Sequence, residues 1–339
     1  MVLPQLRPAL ASSSLLVGLY VISDFGAVSL LRYETFTRAI YTQFRGRLDV
    51  TPALFLSGVL VLAALVLVIA EQRNRGRASL ASSRPSRAPR HIELRGGARM
   101  LAYGFLSGLV FAALVLPLIT LGWWAWRGLA LGNVLAPVWV EAARSASVSL
   151  GAALATVAAA IPIAILTVRH PGRGARALEA VSWSTYSLPH LAVGLGFLVL
   201  TIRFAPPLYQ TVGVLVISYV AMFLPQALAS AQTGLRQVGV SLEEASRSLG
   251  AGGLRTLRRI TVPLVWRSLL AGGGLVFLTV MKELPATLLL RPTGFETLAV
   301  RIWSAASNLF YTQASVSALV LVGISAVPLY LLVTRDLHR

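Results

Sequence analysis

Ser241-Leu242-Glu243-Glu244-Ala245-Ser246-Arg247-Ser248-Leu249-Gly250, running on to Ile260-Thr261-Val262-Pro263, is a short polar stretch wedged between two long apolar runs. Ser241 and Glu244 have the spacing of a capping box, with Ser at the N-cap and Glu at N3. Leu242, Ala245 and Leu249 then fall on one helical face. Gly250 and Gly252-Gly253 stop the helix, because glycine tolerates a left-handed cap. A basic turn follows from Arg255 to Arg259, and Pro263 opens the next run in its first turn, where a missing N–H costs little. The spacing predicts a rigid helical elbow within the loop 231–263, displaying both charge and apolar surface. Such an object suits docking to another protein.

Outward from the elbow the chain is mostly apolar. Of its 339 residues 56% are hydrophobic and 12% charged, and the mean hydropathy is +0.74. Soluble domains carry about 25% charged residues, so lipid rather than water is the expected solvent. Eight segments have close to the ~20 apolar residues that a transmembrane helix needs: 9–31, 51–70, 101–124, 146–168, 180–202, 210–230, 264–284 and 313–333. The expected fold is an all-α integral membrane protein of about eight transmembrane helices. Between the second and third runs lies an Arg-rich segment, 71–99, that reads as a flexible connector, and Trp123, Trp124 and Trp126 end the third run as an interfacial belt would.

The net charge of +18 does not indicate nucleic-acid binding. The cations sit in short loops between apolar runs, and no basic domain stands apart from them. With the N-terminus, the segments 71–99, 169–177 and 231–267 and the C-terminus on one side, that side holds 20 of the 30 cations. It is therefore expected to be cytoplasmic, with Ser82 and Arg339 inside and Asp49 and Asn308 outside. There is no cysteine, and His91, His170, His190 and His338 are too scattered for a metal motif. No cofactor is expected on this chain.

Self-comparison reveals a repeat. Leu3-Pro4-Gln5-Leu6 reappears as Val262-Pro263-Leu264-Val265, and Asp24-Phe25-Gly26-Ala27 as Glu283-Leu284-Pro285-Ala286. Leu30-Leu31-Arg32 matches Leu289-Leu290-Arg291, Glu34-Thr35-Phe36 matches Glu296-Thr297-Leu298, and Ile40-Tyr41 matches Ile302-Trp303. Residues 1–76 thus read as the tail of one repeat with two spans, 77–99 as a basic linker, and 100–339 as a complete repeat of six. The first repeat starts where the second leaves its elbow, and the expectation is a truncated form of a longer fused protein.

The elbow resembles the signature of binding-protein-dependent ABC importer permeases: Glu-Ala-Ala, three residues, Gly, nine residues, Ile, one residue, Leu-Pro. Here it reads Glu244-Ala245-Ser246, Gly250, Ile260 and Val262-Pro263, with the spacing intact and Ser and Val as mild departures. Within that family the chain is similar to the fused ferric-iron permeases, through Lys282-Glu283-Leu284-Pro285-Ala286-Thr287-Leu288-Leu289-Leu290-Arg291-Pro292 and Gly294-Phe295-Glu296-Thr297-Leu298-Ala299. The resemblance implies a type I importer fold in the bacterial inner membrane. It implies a cytoplasmic ABC ATPase in two copies that uses the ATP, a periplasmic substrate-binding protein, a second permease half, and ferric iron as cargo. Thiamine, sulfate, molybdate and polyamine permeases are the alternatives within the family. Ser241, Glu243, Glu244, Ala245, Gly250, Ile260 and Pro263 would form the coupling loop.

Ionisable groups inside apolar runs are functional candidates. Asp24 and Glu283, at equivalent repeat positions, would face each other across a gate, unless Lys282 neutralises Glu283. His190, after Pro189, lies inside the fifth run, while Gly194 and Gly196 suit close helix packing. Asp24, His190, Glu283, Pro285 and Glu296 are the candidate translocation-path residues. No G-x-x-x-x-G-K-[ST], H-E-x-x-H or G-x-S-x-G occurs, so ATP hydrolysis or a membrane-embedded enzyme finds no motif here. A secondary carrier would have no use for the elbow.

Overall fold

The computed structural model describes residues 3–46, 50–81, 95–132 and 137–337, which are helical with no strand among them. In chain order the helices are α1 (Leu3–Ser23), α2 (Gly26–Leu30), α3 (Phe36–Gly46), α4 (Thr51–Ala81), α5 (Gly97–Val110), α6 (Leu116–Ala130), α7 (Trp139–Arg169), α8 (Arg173–Ser184), α9 (His190–Phe204), α10 (Val212–Gln237), α11 (Val240–Ser248), α12 (Gly253–Thr256), α13 (Val262–Met281), α14 (Pro285–Leu290), α15 (Leu298–Ser307) and α16 (Tyr311–Leu337).

Among the described residues six helical stretches are long and apolar enough to cross a membrane, or seven if one sharply bent pair counts as a single span. Two of the eight expected runs are not single straight helices. The run 180–202 is no straight helix: α8 and α9 meet at 110°. Pro189 pushes Leu188 into extended backbone (ψ 136°) and removes an N–H, so the helix must stop and restart. The run 9–31 breaks at Asp24-Phe25, where α1 gives way to the five-residue α2. The carbonyl of Asp24 is taken up by the Thr37 hydroxyl at 2.7 Å.

A third correction concerns the connector. α4 continues as helix to Ala81, well past the expected end of the second run. The rest of the expected connector, 82–94, together with Asp49, His91, His338 and Arg339, lies outside the described residues.

Helices α7, α10 and α13 pack on one another at the centre. Small residues let them approach: Ala152, Ala160 and Ala164 of α7 are fully buried. A side chain at Gly234 would meet Ser268 Oγ at 2.7 Å, and one at Gly272 would meet Ser230 Cβ at 2.8 Å. In lipid, where no hydrophobic force drives helices together, such contacts supply the association. By contrast, the most apolar window of Gly97–Ala130 has no buried residue at all. This stretch presents its apolar side chains all round, as a lipid-facing helix does. Turns of π-helix at Phe111–Val115 and Leu257–Thr261 precede Pro117 and Pro263, widening the helix where a proline ring would strike the preceding turn.

Two stretches share an order of elements. α1, a break, α2, a loop, α3 and the long α4 are repeated as α13, a break, α14, a loop, α15 and the long α16. α3 and α15 begin at Phe36 and Leu298, which align in the sequence.

Candidate functional site: the elbow and the broken helices

The elbow forms, but not by the expected capping box. α11 starts at Val240 with Gly239 as its N-cap, and no side chain caps it. Ser241 and Glu244 are both exposed. It is Glu243, only 5% exposed, that turns inward. Its Oε1 accepts from Arg169 Nη2 at 3.1 Å, from Arg169 Nε at 3.3 Å and from the Thr261 hydroxyl at 3.2 Å. Arg169 Nη2 also donates to the Val238 carbonyl at 2.9 Å. One guanidinium thus ties the end of α7 to the entry of α11, and the carboxylate reaches on to the start of α13.

The other face of α11 is open. Leu242, Ala245 and Leu249 are all exposed, Leu249 to 89%. Gly250 ends the helix at φ 81°. The Ala251 N–H bonds to the Ser246 carbonyl at 3.1 Å and the Gly250 N–H to that of Arg247 at 2.9 Å, the paired closure that a left-handed residue permits. Ser246, which stands at an Ala position of the motif, shares a buried hydrogen bond of 3.0 Å with Thr256 Oγ1. Ile260 is half-buried and Pro263 exposed. Sequence reading missed Arg169 and Thr261: Arg169 is 74 residues from Glu243 and counts there only as a loop cation.

At the other end of α13 the chain breaks over residues 282–284. Pro285 cannot donate to the helix behind it, and Glu283 serves the new one: its Oε1 accepts the Ala286 N–H at 3.2 Å. Its Oε2 lies 2.9 Å from His190 Nδ1. The pair shares one proton across this contact, and the imidazole tautomer decides which group donates. His190 is the first residue of α9, immediately after the 110° bend, and its ring packs edge-on against Phe223 at 5.3 Å. The Tyr219 hydroxyl lies 2.6 Å from Thr287 Oγ1, which donates to the Glu283 carbonyl at 2.7 Å. Gly194 brings α9 so close that a Cβ would stand 2.9 Å from the Ala286 Cα.

The structure therefore brings together Glu283, His190 and Pro285 but not the other two candidates. Among the described residues no hydrogen bond or ion pair joins Asp24 to Glu283, although the breaks are neighbours: a Cβ at Gly26 would lie 3.9 Å from Leu284 Cδ2. Glu296 is in a local pair with Arg291 at 3.2 Å. Lys282, the alternative partner for Glu283, is exposed, and the carboxylate is held by His190 instead. No group of three or more acidic, His or Cys side chains suited to a metal occurs among the described residues.

Residues 151–335 match the family described as "binding-protein-dependent transport system inner membrane component". The chain is 32% identical over 333 residues to a ferric-iron transport system permease protein, FbpB 2, of Haemophilus influenzae, covering 97% of this chain and 66% of that protein. A second, putative ferric transport system permease of H. influenzae, FbpB 1, is 28% identical over 85% of this chain and 49% of its own length. A probable molybdenum ABC transporter permease of Haloferax volcanii is 32% identical over 51% of this chain. The chain spans between about half and two thirds of the length of the two ferric relatives. Apolar helices sufficient for a multi-pass inner-membrane protein, an exposed elbow between two of them and the family match over more than half the chain agree: this chain belongs to the inner-membrane components of binding-protein-dependent transport systems.

Proposed function

We propose that the chain is a permease of an ABC importer that moves ferric iron, delivered by a periplasmic binding protein, with ATP hydrolysed by two copies of a separate ATPase. The observation that carries this reading is the elbow. α11 stands outside the apolar bundle, exposes Leu242, Ala245 and Leu249, and is fixed to α7 through the buried Arg169–Glu243 pair. A helix that is rigid on its inner side and apolar on its outer side transmits a push. Glu244 and the apolar face would engage the ATPase, and Gly250 would set the return of the chain. Cargo identity rests on the names of the two ferric relatives, and molybdate is the comparator because of the third.

The elbow and both termini belong on the cytoplasmic side in this reading. Residues 1–76 are taken as the tail of one permease repeat and 100–339 as a complete second one, and a second permease half completes the path. His190 and Glu283 line that path where the helices break, in the part of the membrane where backbone is permitted to leave helix only beside a cavity or protein.

Proteoliposomes containing the chain with its ATPase and binding protein test the proposal. Gly250→Phe should leave ATP hydrolysis running while uptake of radioactive iron falls to background. Wild-type uptake in that variant refutes the coupling role, and uptake of molybdate in place of iron refutes the cargo. Cysteines introduced at Ser82 and Asn308 test orientation: labelling of position 82 from outside intact cells contradicts it.

A further inference from the structure

At the end of the bundle remote from the elbow, a cavity of about 420 Å³ opens between α2, α3 and α15. A single water needs only about 10–15 Å³ of such space, so a small hydrated ion fits. Two cations, Arg32 and Arg38, line the cavity beside the hydroxyls of Tyr41, Thr42, Ser307 and Tyr311, and its wall, otherwise largely apolar, includes no carboxylate. Arg38 pairs with Glu34 at 3.0 Å, but the Glu34 side chain is 73% exposed, and a pair so open to water is readily exchanged. The Arg32 guanidinium has no hydrogen-bond or ion-pair partner among the described residues.

The backbone points to the same place. Among the described residues three non-glycine positions have positive φ, and two of them, Arg32 (55°) and Leu309 (66°), line this cavity. Each closes a helix in the position that glycine usually takes. The Tyr33 N–H bonds to the Val28 carbonyl at 3.0 Å and that of Arg32 to Ser29 at 3.2 Å; the Phe310 N–H bonds to Ala305 at 2.8 Å and that of Leu309 to Ala306 at 3.1 Å. Strain of this kind gathers where a ligand is held. The matched arginine of the second stretch behaves differently. Arg291 has extended backbone and is engaged by the Phe295 carbonyl and by Glu296.

We propose that this cavity binds a small oxyanion, its oxygens held by the forks of Arg32 and Arg38 and by the hydroxyls beside them. A planar guanidinium matches carboxylate or phosphate with two parallel hydrogen bonds. The inference rests on the cavity and is independent of the cargo. Citrate and inorganic phosphate, titrated calorimetrically at low salt into the full chain in nanodiscs, are the probes. At least one should bind saturably: phosphate alone marks an inorganic anion, citrate alone a polycarboxylate. Affinity should fall about tenfold or more in Arg32→Gln and in Arg38→Gln and hold in Arg291→Gln. Arg32→Gly separates binding from folding, because it relieves the backbone and should raise the melting temperature while binding is lost. No saturable binding of either probe, or wild-type affinity in Arg32→Gly, overturns the proposal. So does protection of Arg32 from phenylglyoxal by an acidic periplasmic protein but by neither probe, which would give the arginines to a protein carboxylate.

Discussion

The break between α1 and α2 and the break between α13 and α14 share a place in the order of elements and differ in how tightly they are held. At the second, Glu283 is 5% exposed and bonded to His190 and to the Ala286 N–H. At the first, Asp24 is half-buried; its backbone is engaged, the N–H by the Val21 carbonyl and the carbonyl by Thr37, but its carboxylate has no hydrogen-bond or ion-pair partner among the described residues. The reason is the neighbour: α9 packs on α14 and brings His190 with it, and no described helix brings a comparable partner to Asp24. One break is thus locked by side chains and the other is left open. Acids that align in the sequence, Asp24 and Glu283, need not meet aligned partners.

The sharpest way to break this comparison is to neutralise both acids. Glu283→Ala strands a partly buried His190 and an Ala286 N–H, and removing one partner of such a pair costs about 3 kcal/mol or more. Asp24→Ala should stay within ~0.5 kcal/mol. Thermal unfolding in detergent reads both, and equal shifts would show that the second break is no better locked than the first. Iron uptake should also fall further in Glu283→Ala.

Glycine positions probe the packing behind the lock. Gly194→Ala forces a Cβ to 2.9 Å from the Ala286 backbone and should cost about 1–3 kcal/mol. Gly26→Ala meets only an ordinary contact at 3.9 Å and should be tolerated. If both variants unfold alike in a denaturant titration, the close approach of α9 to α14 is not what holds the second break.

A smaller effect is expected from Tyr219→Phe, which removes the hydroxyl bonded to Thr287, at about 1 kcal/mol. Hydrogen exchange should then rise in α14 and not in α2. Smallest of all is Arg291→Gln: the pair with Glu296 is 27% and 41% exposed, so its loss should change melting by no more than a degree or two. A large drop there would make the loop before α15, and not the break itself, the point of attachment.

Much of the architecture was legible in the sequence because composition and spacing report it directly. The runs 51–70 and 210–230 became α4 and α10, and Gly250 turned as its missing side chain allows. Direction was not legible. The run 180–202 is apolar throughout, and hydropathy cannot see that Pro189 bends it by 110°. At the elbow Glu243 and Glu244 are equivalent on paper, yet one helical step of about 100° separates a carboxylate facing Arg169 from one facing water. Partners far along the chain, such as Arg169 for Glu243 and His190 for Glu283, leave no local signal, because nothing in either segment records what folds against it.

The largely lipid-facing stretch Gly97–Ala130 sets a length that the bilayer must answer. Its 34 residues extend about 51 Å at 1.5 Å per residue, against a hydrocarbon slab of about 30 Å. Tilting by up to about 40° recovers only part of the difference, so one end must run along the headgroups, and Trp123 and Trp126, both exposed at its C-terminal end, are suited to that layer. This helix should accordingly sense membrane thickness, standing more upright as the acyl chains lengthen.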